Sequence, residues 1–206
     1  MRKAKVRRKT KETDISCELN VDGKGKTNIK TGIGFLNHML ELFAYHGLFD
    51  LKLDVKKSDL NVDIHHTNED AGLCLGEAFK KALSDKKGIS RFGASFVPMD
   101  EALAAVKVRV VLDISGRPSL DFTLPRIAYE GLQQDKSTGY DIKAAKHFFN
   151  AFTVTSGINL HIDILKGSDF HHVLEAVFKS FGRALCEAVR LEQRRKGKTP
   201  STKGKL

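Results

Sequence analysis

Two sets of metal-ligating side chains recur in this chain of 206 residues. In each set two adjacent histidines are followed, four residues after the first of them, by a glutamate: His65, His66 and Glu69, then His171, His172 and Glu175. Four residues are close to one helical turn, so His65 and Glu69 share a helix face, and His66 points about 100° away. Imidazole and carboxylate groups placed in this way are typical ligands of divalent metal ions.

The two sets belong to an internal duplication. The segment HMLELFAYHGLFDLKLDV, which begins at His38, matches HFFNAFTVTSGINLHIDI, which begins at His147, at an offset of 109 residues. The two histidine-pair segments match at an offset of 106. A period this long excludes a solenoid and predicts two homologous halves. We predict half-repeats at 1–93 and 94–192, followed by a basic tail at 193–206.

The duplication predicts two metal ions. Each ion should take the first histidine and the glutamate of one half, the second histidine of the other half, and one of His38 or His147. An isolated histidine pair is usually an ordinary polar feature, but a complete set that occurs twice favours metal binding. Three imidazoles and one carboxylate leave room for water or substrate, as a catalytic ion requires. Ligands without sulfur fit Mn²⁺, Fe²⁺ or Zn²⁺, and octahedral geometry favours the first two.

Each half should fold as a four-stranded sheet with two helices on one face. Alternating apolar residues at 17–21 and 106–114, each followed by a glycine turn, predict a hairpin in each half. A helix should begin near Phe35, with Asn37 capping its start. A longer amphipathic helix should follow each histidine pair. Because all these helices are amphipathic, we predict an α+β fold with the layer order sheet–helices–sheet.

Composition excludes several classes of protein. The 41% hydrophobic and 29% charged residues are typical of a globular chain. No apolar run reaches the length of a membrane span, and the basic start is not followed by the apolar stretch of a secretory signal. Three widely spaced cysteines (Cys17, Cys74 and Cys186) indicate reduced thiols. We therefore expect a cytoplasmic protein with no membrane partner.

The formal net charge of +10 is concentrated at the two ends of the chain, in MRKAKVRRKTK and RLEQRRKGKTPSTKGKL. Solvated tails explain it better than nucleic-acid binding, because the chain has no Trp and only three Tyr to stack on bases. We expect no nucleic-acid partner. A phosphate held by a few basic residues is a third interpretation. The turn-forming segment PSTKG interrupts the basic tail and offers a hydroxyl, an ammonium and backbone N–H groups to such a phosphate.

An ordered set of motifs resembles the imidazoleglycerol-phosphate dehydratase family over nearly the whole chain: TGIGFLNHML, HGLFD, DIHHTNED, GISRFG, VPMDEAL, LDISGRP, HHVLEAVFKSFGRAL and PSTKG. The resemblance implies a duplicated fold like domain 2 of ribosomal protein S5. It also implies the dehydration of imidazole glycerol phosphate to imidazole acetol phosphate in histidine biosynthesis, manganese as cofactor, and a homo-oligomer of twenty-four subunits. Asn37 departs from the family pattern, which has Asp in FLDHML.

The resemblance also implies roles for individual residues. Candidates for proton transfer are Glu12, Glu69 and Glu175, and Glu12 in KTKET matches a substrate-binding residue of the family. The substrate phosphate should be bound by a set of basic and hydroxyl side chains: Arg91, Arg117, Lys179, Ser201 and Lys203. Of these, the two arginines are favoured, because a planar guanidinium can bind phosphate oxygens in pairs. His46 could contact substrate or cap its helix, and we favour substrate.

Three other functions compete with this one. Another dinuclear lyase or hydrolase could act on a phosphorylated metabolite with the same ligands. An RNA-associated binding module could share the basic charge and the small duplicated layers, but it has no use for eight matched ligands. A ferritin-like metal store takes its ligands from a four-helix bundle without intervening strands.

Overall fold

The computed structural model describes residues 1–99, 106–124, 139–167 and 169–206. Within these ranges the chain forms eight strands, four α-helices and a short 3₁₀ helix at Gln193–Arg195. The first half contains β1 (Lys3–Lys9), β2 (Asp14–Asn20), β3 (Thr27–Lys30), α1 (Gly34–Gly47), β4 (Asp50–Lys57) and α2 (His65–Leu83). The second contains β5 (Phe92–Met99), β6 (Val106–Asp113), β7 (Ser119–Thr123), α3 (Ile142–Ser156), β8 (Asn159–Lys166) and α4 (Phe170–Val189). None of the helices in these ranges is long and apolar enough to cross a bilayer.

The strands form two four-stranded sheets with the same topology, β1-β2-β4-β3 and β5-β6-β8-β7. The predicted hairpin in each half is wrong, because β4 lies between β2 and β3, and β8 lies between β6 and β7. The chain leaves β3, passes through α1 and returns as β4 parallel to β3. Parallel neighbouring strands need a crossover connection, which α1 provides between β3 and β4. The glycine turn after β2 therefore leads to a strand that is one position away in the sheet, and β4 later fills the position between them.

The helices lie between the two sheets, as the amphipathic pattern predicts. The closest helix pairs join the two halves, since α1 packs on α4 and α2 packs on α3. Phenylalanine rings fill the space between them: the Phe43 and Phe181 centroids lie 5.2 Å apart, and the Phe152 and Phe181 centroids 5.1 Å apart. The α+β fold and the order sheet–helices–sheet are therefore confirmed.

The predicted cap of α1 is wrong. The helix begins at Gly34, and Ile33, which precedes it, makes no side-chain capping bond. Asn37 lies inside the first turn, where its Oδ1 accepts hydrogen bonds from Thr31 N at 2.9 Å and Thr31 Oγ1 at 2.7 Å. Asn37 thus fastens the incoming chain to the helix that carries His38. In the second half α3 is capped as helices usually are, by Asp141.

Glycines at the helix crossings allow the two halves to approach closely. A β-carbon on Gly182 of α4 would lie 2.3 Å from the Phe43 carbonyl oxygen of α1. At its counterpart in the repeat, Gly76 of α2, the corresponding atom would lie 2.5 Å from the Phe152 carbonyl oxygen of α3. Both distances are far below van der Waals contact with backbone, so these glycines fix how near the helices, and the histidines on them, can lie.

We predict that Gly182→Ala destabilises the fold by about 1–3 kcal/mol, because the added methyl forces α1 and α4 apart. Thermal unfolding should show a midpoint lower by several degrees, at roughly 2–4 °C per kcal/mol for a chain of this size. Gly34→Ala is the matched control, since a β-carbon there meets nothing within 4 Å. Equal midpoints for the two variants would contradict the close crossing.

Candidate metal centre

Three candidate ligand side chains, one from the first half and two from the second, meet where α1 crosses α4. His38 lies on α1, and His171 and Glu175 lie one turn apart on α4. The Nε2 atoms of both histidines lie 3.0 Å from the same oxygen, Oε1 of Glu175. The three donor atoms are within 4.8 Å of one another. Two ligands held at about 2.1 Å from one ion and at right angles are separated by roughly 3 Å, so this arrangement fits a divalent ion.

The glutamate of this cluster is held in its ionised form. Lys179, one turn further along α4, donates to Glu175 Oε2 at 2.6 Å. Burial alone would raise the pKa of Glu175, but the hydrogen bonds and charges of Lys179 and His38 outweigh it and lower the pKa to about 2. Only 14% of the glutamate side chain is exposed. A carboxylate that is ionised at neutral pH and sheltered from water is suited to bind a metal ion.

A second cluster lies at the crossing of α2 and α3. Glu69 Oε2 lies 3.4 Å from His65 Nε2, one turn away on α2, and the His65 and His147 rings are 4.7 Å apart. Glu69 and His147 also line a cavity of about 320 Å³ with Lys146 and Asn150. This cluster is looser than the first, but it contains the matched residues of the repeat.

The helix crossings decide a point that the sequence left open. His38 lies with His171 and Glu175, and His147 lies with the first-half pair His65 and Glu69. Each lone histidine therefore joins the cluster of the opposite half, because α1 packs on α4 and α2 on α3.

The second histidine of each pair lies outside these clusters. His66 Nδ1 is 2.5 Å from Asp59 Oδ2 and 3.7 Å from Glu12 Oε2. His172 Nδ1 is 3.5 Å from Asp169 Oδ1, the residue that caps α4. As the helical spacing predicts, both rings point away from the first histidine of their pair. Among the described residues, neither ring joins the cluster of His38, His171 and Glu175.

A buried carboxylate holds the loop that carries Glu12. Asp70 on α2 accepts hydrogen bonds from Arg8 Nε at 2.7 Å and from the Thr13 hydroxyl. Thr10 Oγ1 in turn accepts from the backbone N–H groups of Glu12 and Thr13 at 3.1 and 3.0 Å. Glu12 thus stands beside His66 on a short loop that is tied to the helix of the histidine pair. Asp70 has no counterpart in the repeat, and sequence reasoning gave it no role.

Arg91 joins the C-terminal tail to the second sheet. Its guanidinium donates to the two carboxylate oxygens of Asp113 at 2.6 and 2.9 Å, and to the Pro200 carbonyl at 3.0 Å. Its backbone φ is +78°, a left-handed conformation that costs a non-glycine residue about 1–2 kcal/mol. Strain of this kind often marks a functional position. Arg91, expected at the substrate phosphate, therefore also orders the tail.

The tail forms the compact turn that the PSTKG segment predicts. Ser201 accepts from the Lys203 backbone N–H at 3.2 Å, and its carbonyl accepts from Gly204 N at 3.1 Å. The last residues lie against the exposed turn that bears Arg117, since a β-carbon on Gly116 would be 3.1 Å from the Leu206 carbonyl carbon. One end of the second sheet therefore gathers four predicted phosphate ligands: Arg91, Arg117, Ser201 and Lys203.

The fifth predicted phosphate ligand lies elsewhere. Lys179 Nζ lies 3.0 Å from Met99 Sδ, at the end of β5, whereas Arg91 immediately precedes the start of that strand. A strand of this length spans about 23 Å at roughly 3.3 Å per residue. Lys179 and Arg91 of one copy therefore lie too far apart to bind one phosphate group.

His46 lies near the C-terminal end of α1, half-buried in a cavity of about 630 Å³ whose lining includes Arg183. Burial, and then the charges of Lys179 and Arg183, lower the pKa of His46. The helix is closed by the backbone N–H of Leu48, which donates to carbonyls of its last turn. Of the two roles left open for His46, capping is therefore performed by another group.

Comparison with known proteins identifies the family of the chain. The family model described as imidazoleglycerol-phosphate dehydratase matches residues 31–185. A curated relative of that name from Caldanaerobacter subterraneus subsp. tengcongensis is 55% identical over 206 residues, and the match covers all of both chains. Another, from Acetivibrio thermocellus, is 52% identical over 206 residues, and the match covers 100% of this chain and 99% of the relative.

Two solved structures give the same result. The imidazoleglycerol-phosphate dehydratase of Staphylococcus aureus superposes with a TM-score of 0.77 at 34% identity, covering 92% of this chain and 99% of that one. The enzyme of Pyrococcus furiosus in complex with (S)-C348 superposes with a TM-score of 0.79 at 33% identity, covering 98% and 100%. The chain belongs to the imidazoleglycerol-phosphate dehydratase family, the hydro-lyases of histidine biosynthesis.

Proposed function

We propose that the chain dehydrates imidazole glycerol phosphate to imidazole acetol phosphate at a centre of two divalent metal ions, most simply Mn²⁺, which more than one copy of the chain completes. The observation that carries this proposal is the approach of two imidazole nitrogens to one carboxylate oxygen at 3.0 Å, in the cluster of His38, His171 and Glu175. The looser cluster of His65, Glu69 and His147 supports a second ion. We place the reaction in the cytoplasm.

The positions of the remaining ligands support a centre shared between copies. Each cluster contains two imidazoles and one carboxylate, and a third imidazole is needed for the predicted set. His66 and His172 point away from the clusters of their own chain. We propose that His66 of one copy completes the cluster around Glu175 of another, and that His172 completes the cluster around Glu69 in the same way. A closed homo-oligomer satisfies every such contact at once, and the twenty-four subunits implied by the family resemblance would do so.

Bound ions would supply Lewis acidity at the substrate's imidazole and hydroxyl groups and hold them in place. The reaction removes a hydroxyl group from one carbon and a proton from its neighbour, so a base must lie near the substrate. We propose Glu12 for this proton, because its side chain is 55% exposed beside His66 and its loop is anchored through Asp70. Glu69 and Glu175 would serve as ligands, and Glu175 is already ionised through Lys179.

The phosphate would be bound at a distance from the metal clusters of its own chain. Arg91, Arg117, Ser201 and Lys203 share one end of the second sheet, whereas Lys179 stands beside the Glu175 cluster at the other end. We therefore propose that the substrate spans a junction between copies, with the tail of one copy on its phosphate and Lys179 of another copy nearby. His46 would contact substrate from its half-buried position on α1.

We predict about two divalent ions per chain at saturation, one for each cluster. His171→Ala removes one of two imidazoles at Glu175, so metal content should fall by about one ion per chain, turnover should be lost, and the fold should persist. Elemental analysis and circular dichroism measure these outcomes. His161→Ala is the control, because His161 lies on β8 outside both clusters. Unchanged metal content in a variant that lacks both histidine pairs would refute the assignment.

Metal binding and assembly should be linked, since ligands from different copies bind one ion only in the oligomer. Chelation should convert a large particle into smaller species, and added Mn²⁺ should restore it. Light scattering after size exclusion measures both states. A monomer that keeps its metal and full activity would contradict the shared centre.

The tail should act on the phosphate and not on the metal. Lys203→Ala should raise the Michaelis constant for the phosphorylated substrate about 10–150-fold, as expected for loss of a charged hydrogen bond of about 1.5–3 kcal/mol. Metal content should not change, and turnover of unphosphorylated imidazole glycerol should fall much less. Lys205→Ala, two residues along the same exposed tail, is the matched control. Equal losses for both substrates would assign the tail a purely structural role.

A further inference from the structure

Asp59 makes the shortest contact of any carboxylate with a histidine ring among the described residues. Its Oδ2 lies 2.5 Å from His66 Nδ1, and its Oδ1 accepts from the Thr67 hydroxyl at 3.3 Å. Asp59 belongs to the loop between β4 and α2, and only 13% of its side chain is exposed. The side chain of His66 is 43% exposed.

This contact is a hydrogen bond and not half of a metal site. Asp59, Glu12 and His66 place one donor atom each within 4.8 Å of one another, which by itself would suit a cation. Two ligands of one ion at about 2.1 Å are separated by roughly 3 Å or more. The 2.5 Å between Asp59 and His66 is too short for that, and it is a close hydrogen-bond contact in which the ring nitrogen can donate to the carboxylate.

The choice of nitrogen matters for the ligand role of His66. When Nδ1 carries the proton that Asp59 accepts, Nε2 keeps its lone pair and is the nitrogen that can bind a metal ion. In the clusters, His38, His65 and His171 also present Nε2 to the carboxylate ligand. Asp59 therefore sets His66 in the tautomer and orientation that the other ligands share.

We propose that Asp59 is a positioning residue for the shared metal centre, which orients His66 for the ion bound by Glu175 of another copy. A metal-ligating histidine commonly donates its second nitrogen to a carboxylate in this way, and the carboxylate raises the basicity of the ligand. The inference rests on the proposed function and adds a residue that lies outside the two matched ligand sets. His172 Nδ1 lies 3.5 Å from Asp169 Oδ1.

The same bond leaves Glu12 available for the substrate. Glu12 Oε2 is 3.7 Å from the same Nδ1, and its side chain is 55% exposed. With Asp59 in place Nδ1 has its acceptor, so Glu12 need not turn toward the ring. When Asp59 is removed, Glu12 is near enough to accept from Nδ1 in its place. The effect of the single Asp59 variant on metal affinity would then be smaller. The double variant Glu12→Ala/Asp59→Ala removes this compensation, because neither side chain can then accept from Nδ1.

The test is a Mn²⁺ titration of the full chain after chelation, with free Mn²⁺ measured by electron paramagnetic resonance. Asp59→Ala should weaken one of two ions per chain about 10–100-fold and leave the other unchanged. Asp59→Asn should weaken it less, because its amide oxygen can still accept from Nδ1. In a His66→Ala background Asp59→Ala should cause no further loss. Asp63→Ala is the control, since Asp63 carries the same charge near His66 but its Oδ1 accepts from the His65 backbone N–H.

Three results would overturn the proposal: unchanged affinity for both ions in the double variant Glu12→Ala/Asp59→Ala, equal weakening of both ions, or an undiminished loss when His66 is already alanine. The purely structural alternative predicts the second of these together with a lower melting temperature. A wild-type chain that binds no Mn²⁺ would overturn the metal centre itself. That failure is distinct from a normal wild-type titration in which the Asp59 variants have no effect.

Discussion

One oxygen atom of Glu175 lies within 3.0 Å of imidazole nitrogens from two helices, and much of the fold is arranged so that this can happen. His38 comes from the first half and His171 from the second, so their approach requires α1 and α4 to cross closely. Gly182 permits that crossing, because any β-carbon there would meet the backbone of α1. Asn37 ties the start of α1 to Thr31 one residue before His38. Helix packing thus positions the ligands.

Electrostatics fits the same geometry. Desolvating a carboxylate between two sheets costs free energy unless cations or donors surround it. Lys179 provides such a donor at 2.6 Å, which keeps Glu175 ionised against the effect of burial. In the other cluster the side chain of Glu69 is 42% exposed, so water solvates its charge and a neighbouring cation is less necessary. The duplicated clusters therefore differ in burial and in cation contacts, although their ligand types match.

The sequence predicts the layer order correctly, because an amphipathic pattern acts locally. The spacing of four residues likewise predicts that His171 and Glu175 share a helix face, where the structure places them 3.0 Å apart. The sequence does not decide which lone histidine joins which set, since that depends on whether α1 crosses α4 or α2. The predicted hairpins are wrong for a related reason: β4 pairs between β2 and β3 only after α1 has returned the chain to the sheet. Asn37 has the residue type of a cap but lies inside the helix. Asp59 could not be found from the repeat, because it contacts His66 from a loop that has no matched partner.

The two halves of one chain do not bring all predicted ligands together, so the account depends on ligands from a second copy. Mixing two inactive variants tests this sharing of ligands directly. Chains with His66→Ala and chains with Glu175→Ala each lack one ligand of the same ion in every site. After joint chelation and reassembly with Mn²⁺, Glu175 of one chain should meet His66 of the other, and activity should return in up to about a quarter of the sites for random pairing. A mixture of His38→Ala and Glu175→Ala should remain inactive, because both ligands belong to one copy. Failure of the first mixture to regain activity, with both variants assembled, would show that each chain completes its own centre and would contradict the account.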